Sequence, residues 1–381
     1  MSKRAVAALT APNGKTAGRL VRAGGMLFSS SITGLDPSSG MLSKDPVQQI
    51  AVAFGNLRAL LARAGASADE LGLVTVCIAD GSHAGLVDQC WQAAWPDGRN
   101  RPALKINEYD LPPGEMVQIQ VVGASGQKRQ PIALPGFADH PPLGVRLGPV
   151  VFSAPIDGRD PATGERSADR VTQMRQAFRN MESFIQRAGG SKADLIHVYI
   201  FVSGRDDQLD MLDVWLEEFP TDGDRPARKA IFDETLARDG KIIHLMCTGV
   251  IGQEARLDLE VPGISKRHPN PMGAKISGLV LSSGIGGDDP SGKLKSRDPT
   301  VCAGFAFQNM ATLLKLAGGS LDDIGLVSIT VNDYTDEPAI LAEWRRFFPD
   351  AATEPARHVM AFGGRGSYPV QVHVFGALGP K

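Results

Sequence analysis

Three stretches of this 381-residue chain are copies of one another. When Asp36-Pro37, Asp160-Pro161 and Asp289-Pro290 are set in register, other landmarks coincide at the same offsets of 124 and then 129 residues. They are Asp45, Asp169 and Asp298; Asn56, Asn180 and Asn309; Gly65, Gly189 and Gly318; and Trp91, Trp215 and Trp344. A period this long is several times a solenoid unit, so each copy has room for a core of its own. The chain reads as three homologous domains in tandem, residues 1–126, 127–252 and 253–381, and the positions where the copies differ carry the functional information.

With 43% hydrophobic and 22% charged residues the composition is that of a globular protein. A formal net charge of -2 offers no basic field for a phosphate backbone, so nucleic acid is not expected as a partner. The N-terminal segment has only a short apolar run, broken by Pro12 and Gly14, and no apolar stretch has the length of a membrane span; a cytoplasmic protein is expected. Cys77, Cys90, Cys247 and Cys302 fall at non-equivalent places and form no C-x-x-C pair, so buried thiols are expected rather than a disulfide framework or a metal site.

Each copy repeats one order of elements. An apolar strand (26–30, 150–153, 279–283) runs into an Asp-Pro turn, and Asp45, Asp169 and Asp298 then stand as N-caps of a helix, with Pro46 and Pro299 at its first position. A β-branched strand follows (73–78, 196–202, 326–331), then a helix ending at Trp95-Pro96, Phe219-Pro220 and Phe348-Pro349, then two closing strands. The order β-β-α-β-α-β-β predicts an α+β sheet with both helices on one face. Three bare sheet faces are then best buried against each other about a pseudo-threefold axis, with 126–135 and 252–261 as linkers.

The Ser283-Gly284 turn, the Ala317 to Ser320 loop and the motifs Pro226-Ala227-Arg228 and Pro355-Ala356-Arg357 resemble the RidA/YjgF family of imine and enamine deaminases, over essentially the whole chain three times. The resemblance implies RidA-like (chorismate mutase-like) domains forming an intramolecular pseudo-trimer around a central barrel of sheets. It also implies small-molecule clefts between copies and an arginine in each that grips a carboxylate. No cofactor is implied. The partner is a small carboxylate-bearing substrate, with one chain per pseudo-trimer and further oligomerisation left open.

Arg228 and Arg357 each lie 39 residues beyond the glycine that ends the first helix of their copy. Such an arginine offers a planar fork for a carboxylate, at about 1.5–3 kcal/mol per charged hydrogen bond. The same count in the first copy lands on Leu104, so the grip is lost there unless Lys105 or Arg101 reaches over; strand alternation points Lys105 to the other face. The family's water-activating glutamate aligns with Gln118, His244 and Gln371, of which His244 alone titrates. The ligand-facing serine aligns with Ser30, Ala154 and Ser283, and Gly284 keeps the close backbone approach in the third copy. His140 and His268 are either cleft residues or surface histidines of Pro-rich loops, and Arg365 is a candidate second anion contact. The expected reaction is hydrolytic release of ammonia from an imine or enamine of a small carboxylic acid. The alternatives are a chorismatase-like hydrolase of a carboxylated enol ether and a carboxylate binder without turnover; the family's older naming as ribonucleases finds no support in the charge balance.

Overall fold

The structure, a computed structural model, describes residues 4–137, 141–264, 269–294, 296–361 and 368–379. In the first copy the elements are β1 (Ala5–Thr10), β2 (Thr16–Ala23), β3 (Met26–Ser29), β4 (Ile32–Thr33), α1 (Pro46–Arg63), β5 (Leu71–Ile78), α2 (Ala84–Ala94), β6 (Ala103–Glu108) and β7 (Val117–Ala124). They form a seven-stranded sheet of order β1-β2-β3-β7-β5-β6, with β4 beside β7. β5 and β6 are parallel and the other pairs antiparallel. The second and third copies repeat this order strand for strand. The chain is α+β, in three tandem domains.

The repeated landmarks have physical duties. Asp45, Asp169 and Asp298 cap the first helix of each copy, each side chain accepting from the first-turn backbone. Asn56, Asn180 and Asn309 are buried, and each Nδ2 donates to two carbonyls of the preceding turn: Thr33 and Leu35, Asp157 and Arg159, Gly286 and Asp288. Trp91, Trp215 and Trp344 are the largest fully buried side chains. Among the described residues no helix is long and apolar enough to cross a membrane.

Two sequence expectations change. The segments taken as linkers contain strands, Arg129–Ile132 and Leu257–Leu259, which pair into the sheets that follow them. Each copy also begins two strands earlier than its most apolar strand. These outer strands are short: Arg129–Ile132 and Leu257–Leu259 have no hydrophobic run, and Ala5–Thr10, though apolar, buries only Leu9.

Each copy has a core between its helices and its sheet. A fourth core belongs to all three copies, with Phe28 and Val122 from the first, Phe152 and Ile196 from the second, and Leu281 and Phe375 from the third. Contacts run in cyclic order, because β5 of the first copy meets the second copy's opening strands, the second copy meets the third, and the third meets β2 and β3 of the first. Size matching fixes this arrangement. An added Cβ at Gly325 would lie 2.1 Å from Phe28, and one at Gly72 would lie 2.4 Å from Phe152. At the third interface the same two positions hold Ile196 and Leu281, a larger residue facing a smaller one. Gly325→Ile is expected to cost about 1–3 kcal/mol by overpacking. Adding Phe28→Leu, which recreates the Ile196 and Leu281 pair, is expected to recover most of that loss in denaturant unfolding; additive losses would show that the positions do not share a contact.

Candidate functional site

The edge strand β6 and its equivalents, Ala227–Phe232 and Ala356–Ala361, carry the chemistry. Each lies against the next copy: the Arg228 backbone N–H donates to Ser283 Oγ at 2.9 Å, and the Ser31 N–H donates to the Arg357 carbonyl at 3.4 Å. Successive residues on these strands alternate between the helix side and the barrel interior.

On the helix side, the Arg228 guanidinium lies over Trp215 at 4.9 Å and the Arg357 guanidinium over Trp344 at 5.3 Å. Neither makes an ion pair among the described residues. Burial pushes Arg228 down to about 10, with the Arg225 charge adding to it, and burial lowers Arg357 against the pull of Glu354 and Glu337. A desolvated guanidinium with free donors is a receptor for a planar anion. In the first copy Leu104 packs into the helix-side core instead. Arg101 takes the place over Trp91, at 5.0 Å, with its Nε spent on the Trp95 carbonyl at 2.8 Å.

On the inner side the three clefts diverge. Between the first and second copies, Lys105 Nζ lies 3.0 Å from His244 Nε2 and 3.4 Å from Asp233, and over the Phe201 ring at 4.5 Å. Between the second and third, Lys229 Nζ donates to Thr330 Oγ1 at 3.0 Å. Between the third and first, His358 Nε2 lies 3.2 Å from Gln118 Oε1, and Gln118 Nε2 donates to Glu115 Oε2 at 2.7 Å. Burial raises the Glu115 carboxyl, and the Glu337 charge raises it further. Arg357 thus lies on the helix side of its strand, and His358, with Gln118 and Glu115, on the inner side.

With this geometry in view, the profile of the family described as Endoribonuclease L-PSP matches residues 13–124 and 138–242, more than half of the chain. The chain belongs to that family. A RutC family protein of Haemophilus influenzae is 38% identical over 63 residues, 16% of this chain and 48% of the relative, so the match spans about half of that relative's length. E. coli TdcF, solved with bound serine, is 26% identical and covers 32% of this chain and 98% of its own, with a TM-score of 0.29. The YjgF gene product of E. coli is 25% identical over the same shares, also at 0.29. A chorismatase is 14% identical but covers 81% of this chain and 93% of its own at a TM-score of 0.56, which extends the fold likeness across the domains.

Within this family frame several expected residues fall differently. His244 sits in the cleft that has lost its arginine, and burial beside Lys105 holds it well below its ordinary range, so a freely titrating histidine base is not what the geometry offers. Ser283 Oγ donates to the Pro271 carbonyl at 2.6 Å and accepts from Asn270 and from the Arg228 backbone, which spends it on joining copies. Ser30 Oγ is likewise spent within the first copy, on the Arg19 N–H and the Ser31 carbonyl. Gly284 lies against Gln371, where a Cβ would fall 2.5 Å from that side chain. Lys105 points away from Leu104, as alternation requires. His140, His268 and Arg365 lie outside the described residues.

Glu115 is the residue sequence reasoning missed. It precedes β7 by two residues, and the glutamate was sought only on the strand itself. Because its folded-state pKa is raised, stability from this group is fullest below the unfolded value of about 4.3 and is lost as pH rises through the raised value. Glu115→Gln should therefore resist denaturant better than wild type at pH 8, with the gap closing toward pH 4. A gap that widened toward acid would contradict the assignment.

Proposed function

We propose that the chain is a hydrolytic deaminase of a reactive imine or enamine of a small carboxylic acid, working in the cleft between the third and first copies. The observation that carries this reading is the Arg357 guanidinium, stacked on Trp344 without an ion-pair partner among the described residues. Arg357 holds the substrate carboxylate. Glu115 moves the proton: as carboxylate it takes one from the attacking water, and as acid it returns one to the departing amine. Such substrates are intrinsically reactive, so orientation and one proton carrier suffice. The cleft of Arg228 has the grip without an equivalent carboxyl among the described residues, Tyr368 standing where Glu115 does, and binds without turnover. The cleft of Lys105 is filled by its own ion pair. One chain then supplies a complete pseudo-trimer.

A buried carboxyl whose pKa is raised also suits enol-ether hydrolysis, whose first step is protonation of the vinyl carbon, and this favours the chorismatase-like reaction as the second reading. The test is ammonia release from imines generated in situ by an amino-acid oxidase. Arg357→Ala is expected to reduce the gain at least about tenfold, from loss of a charged contact near 1.5 kcal/mol. Glu115→Gln is expected to abolish most of it. Arg228→Ala should retain turnover while calorimetry with a keto acid loses one binding site. No acceleration across a panel of imines, with hydrolysis of a carboxylated enol ether, would transfer the cleft to the second reading.

A further inference from the structure

A second constellation lies on the inner side of the cleft between the second and third copies, on the strand face opposite Arg228. Lys229 is only 7% exposed, faces inward, and has Thr330 Oγ1 as its one hydrogen-bond partner among the described residues. It makes no ion pair among the described residues, unlike Lys105, which has Asp233. Tyr199 is its register partner on the neighbouring parallel strand and so shares its face. The Tyr199 hydroxyl lies 3.0 Å from His373 Nδ1, and His373 Nε2 lies 3.0 Å from His197 Nε2, forming a hydrogen-bonded chain across the interface of the second and third copies. His197 Nδ1, at its far end, is buried without a partner. Burial holds Lys229 down to about 8, His358 to about 4 and His197 to about 3. The interior is not sealed: Thr75, Tyr199, Thr330 and Met360 face inward yet are only half-buried. A cavity of about 250 Å³ lies where the three copies meet, lined by residues that include Tyr109, Asp233 and Ala361.

The geometry points to Lys229 as a carbonyl-capturing amine that forms an imine with small aldehydes or keto acids admitted to the barrel, with Tyr199 as its proton donor. A desolvated lysine without a counter-ion is favoured as the free amine, the nucleophilic form. Its lone pair forms the C–N bond while the carbonyl π pair moves to oxygen, which takes the Tyr199 proton. The surplus proton on nitrogen returns to the tyrosinate, completing a carbinolamine. The hydroxyl then leaves as water with the Tyr199 proton as the C=N bond forms. Transfer of the iminium proton to the tyrosinate leaves a neutral imine and one water, with no oxidant or reductant consumed. His373, itself hydrogen-bonded to His197, holds the phenol in place.

The experiment is incubation of the full chain with glyoxylate, reduction with borohydride, and peptide mapping by mass spectrometry. Labelling at Lys229 is expected to exceed that at the exposed Lys44 and Lys315 at least tenfold, to vanish in Lys229→Met, and to form at least about tenfold more slowly in Tyr199→Phe. Arg357→Ala should leave it intact, so this inference and the deaminase reading fail separately. Labelling at Lys229 no greater than at Lys44, read on wild type alone, would overturn the proposal. So would a carbonyl adduct that forms in Tyr199→Phe at the wild-type rate, as regards the role of Tyr199.

Discussion

Every cleft in this molecule depends on the burial of three sheet faces against one another. Each sheet covers one face with its two helices and leaves the other apolar at Phe28, Phe152 and Leu281 and their neighbours. Apolar area of that size returns about 25 cal/mol per Å² when removed from water, and the other copies provide cover of matching shape. The sheet edges then follow. Once Phe28 occupies the hollow at Gly325, the strand that carries Arg357 must run beside Ser31, and the strand that carries Arg228 must run beside Ser283. The positions of the arginines are a consequence of packing near the barrel axis, made before any ligand is considered.

Joining the copies in one chain allows the clefts to differ, which identical subunits cannot do. The position after each arginine shows it. Lys105 in the first copy is neutralised by Asp233 and hydrogen-bonded to His244, so that cleft closes on itself. Lys229 in the second copy has only a hydroxyl for company. In the third copy His358 replaces lysine and meets Gln118, which leads to Glu115. Substituting one such residue in a symmetric trimer would change all three interfaces together and bury three like charges around one axis. Here two lysines and one histidine, His358, occupy the three equivalent positions, and one of the lysines carries its own counter-ion.

The sequence disclosed the fold because the repeat marks residues with backbone duties. The capping aspartates, the turn-clamping asparagines and the helical tryptophans recur wherever the same geometry must be rebuilt. The opening strands escaped because they are short and largely exposed or half-buried, and pairing rather than burial makes them strands. The loss of the arginine at Leu104 and the inward turn of Lys105 were legible from counting and alternation. What Lys105 meets was not, since Asp233 and His244 lie more than a hundred residues away and belong to another copy. Glu115 escaped for a related reason: it reaches the cleft from a loop, and only its hydrogen bond to Gln118 connects it to the strand position where a carboxylate was sought.

The pairing of arginine with tryptophan explains how a buried cation can wait without its anion. Guanidinium is weakly hydrated and stacks on an indole face, an attraction of about 2 kcal/mol where both are desolvated, which offsets part of the cost of leaving water. The offset is incomplete, since Arg228 is held down near 10 by its surroundings. The remaining cost is what an entering carboxylate relieves, so the same contact is worth more here than on an open surface, where water already satisfies the fork. Arg101 shows the complementary case. It occupies the equivalent place over Trp91, but its Nε is bound to the Trp95 carbonyl, and that interaction has already taken part of the capacity that Arg228 and Arg357 keep free. On the proposed reading, anion affinity in this chain follows from which donors the fold has left unused, more than from how many arginines line a cleft.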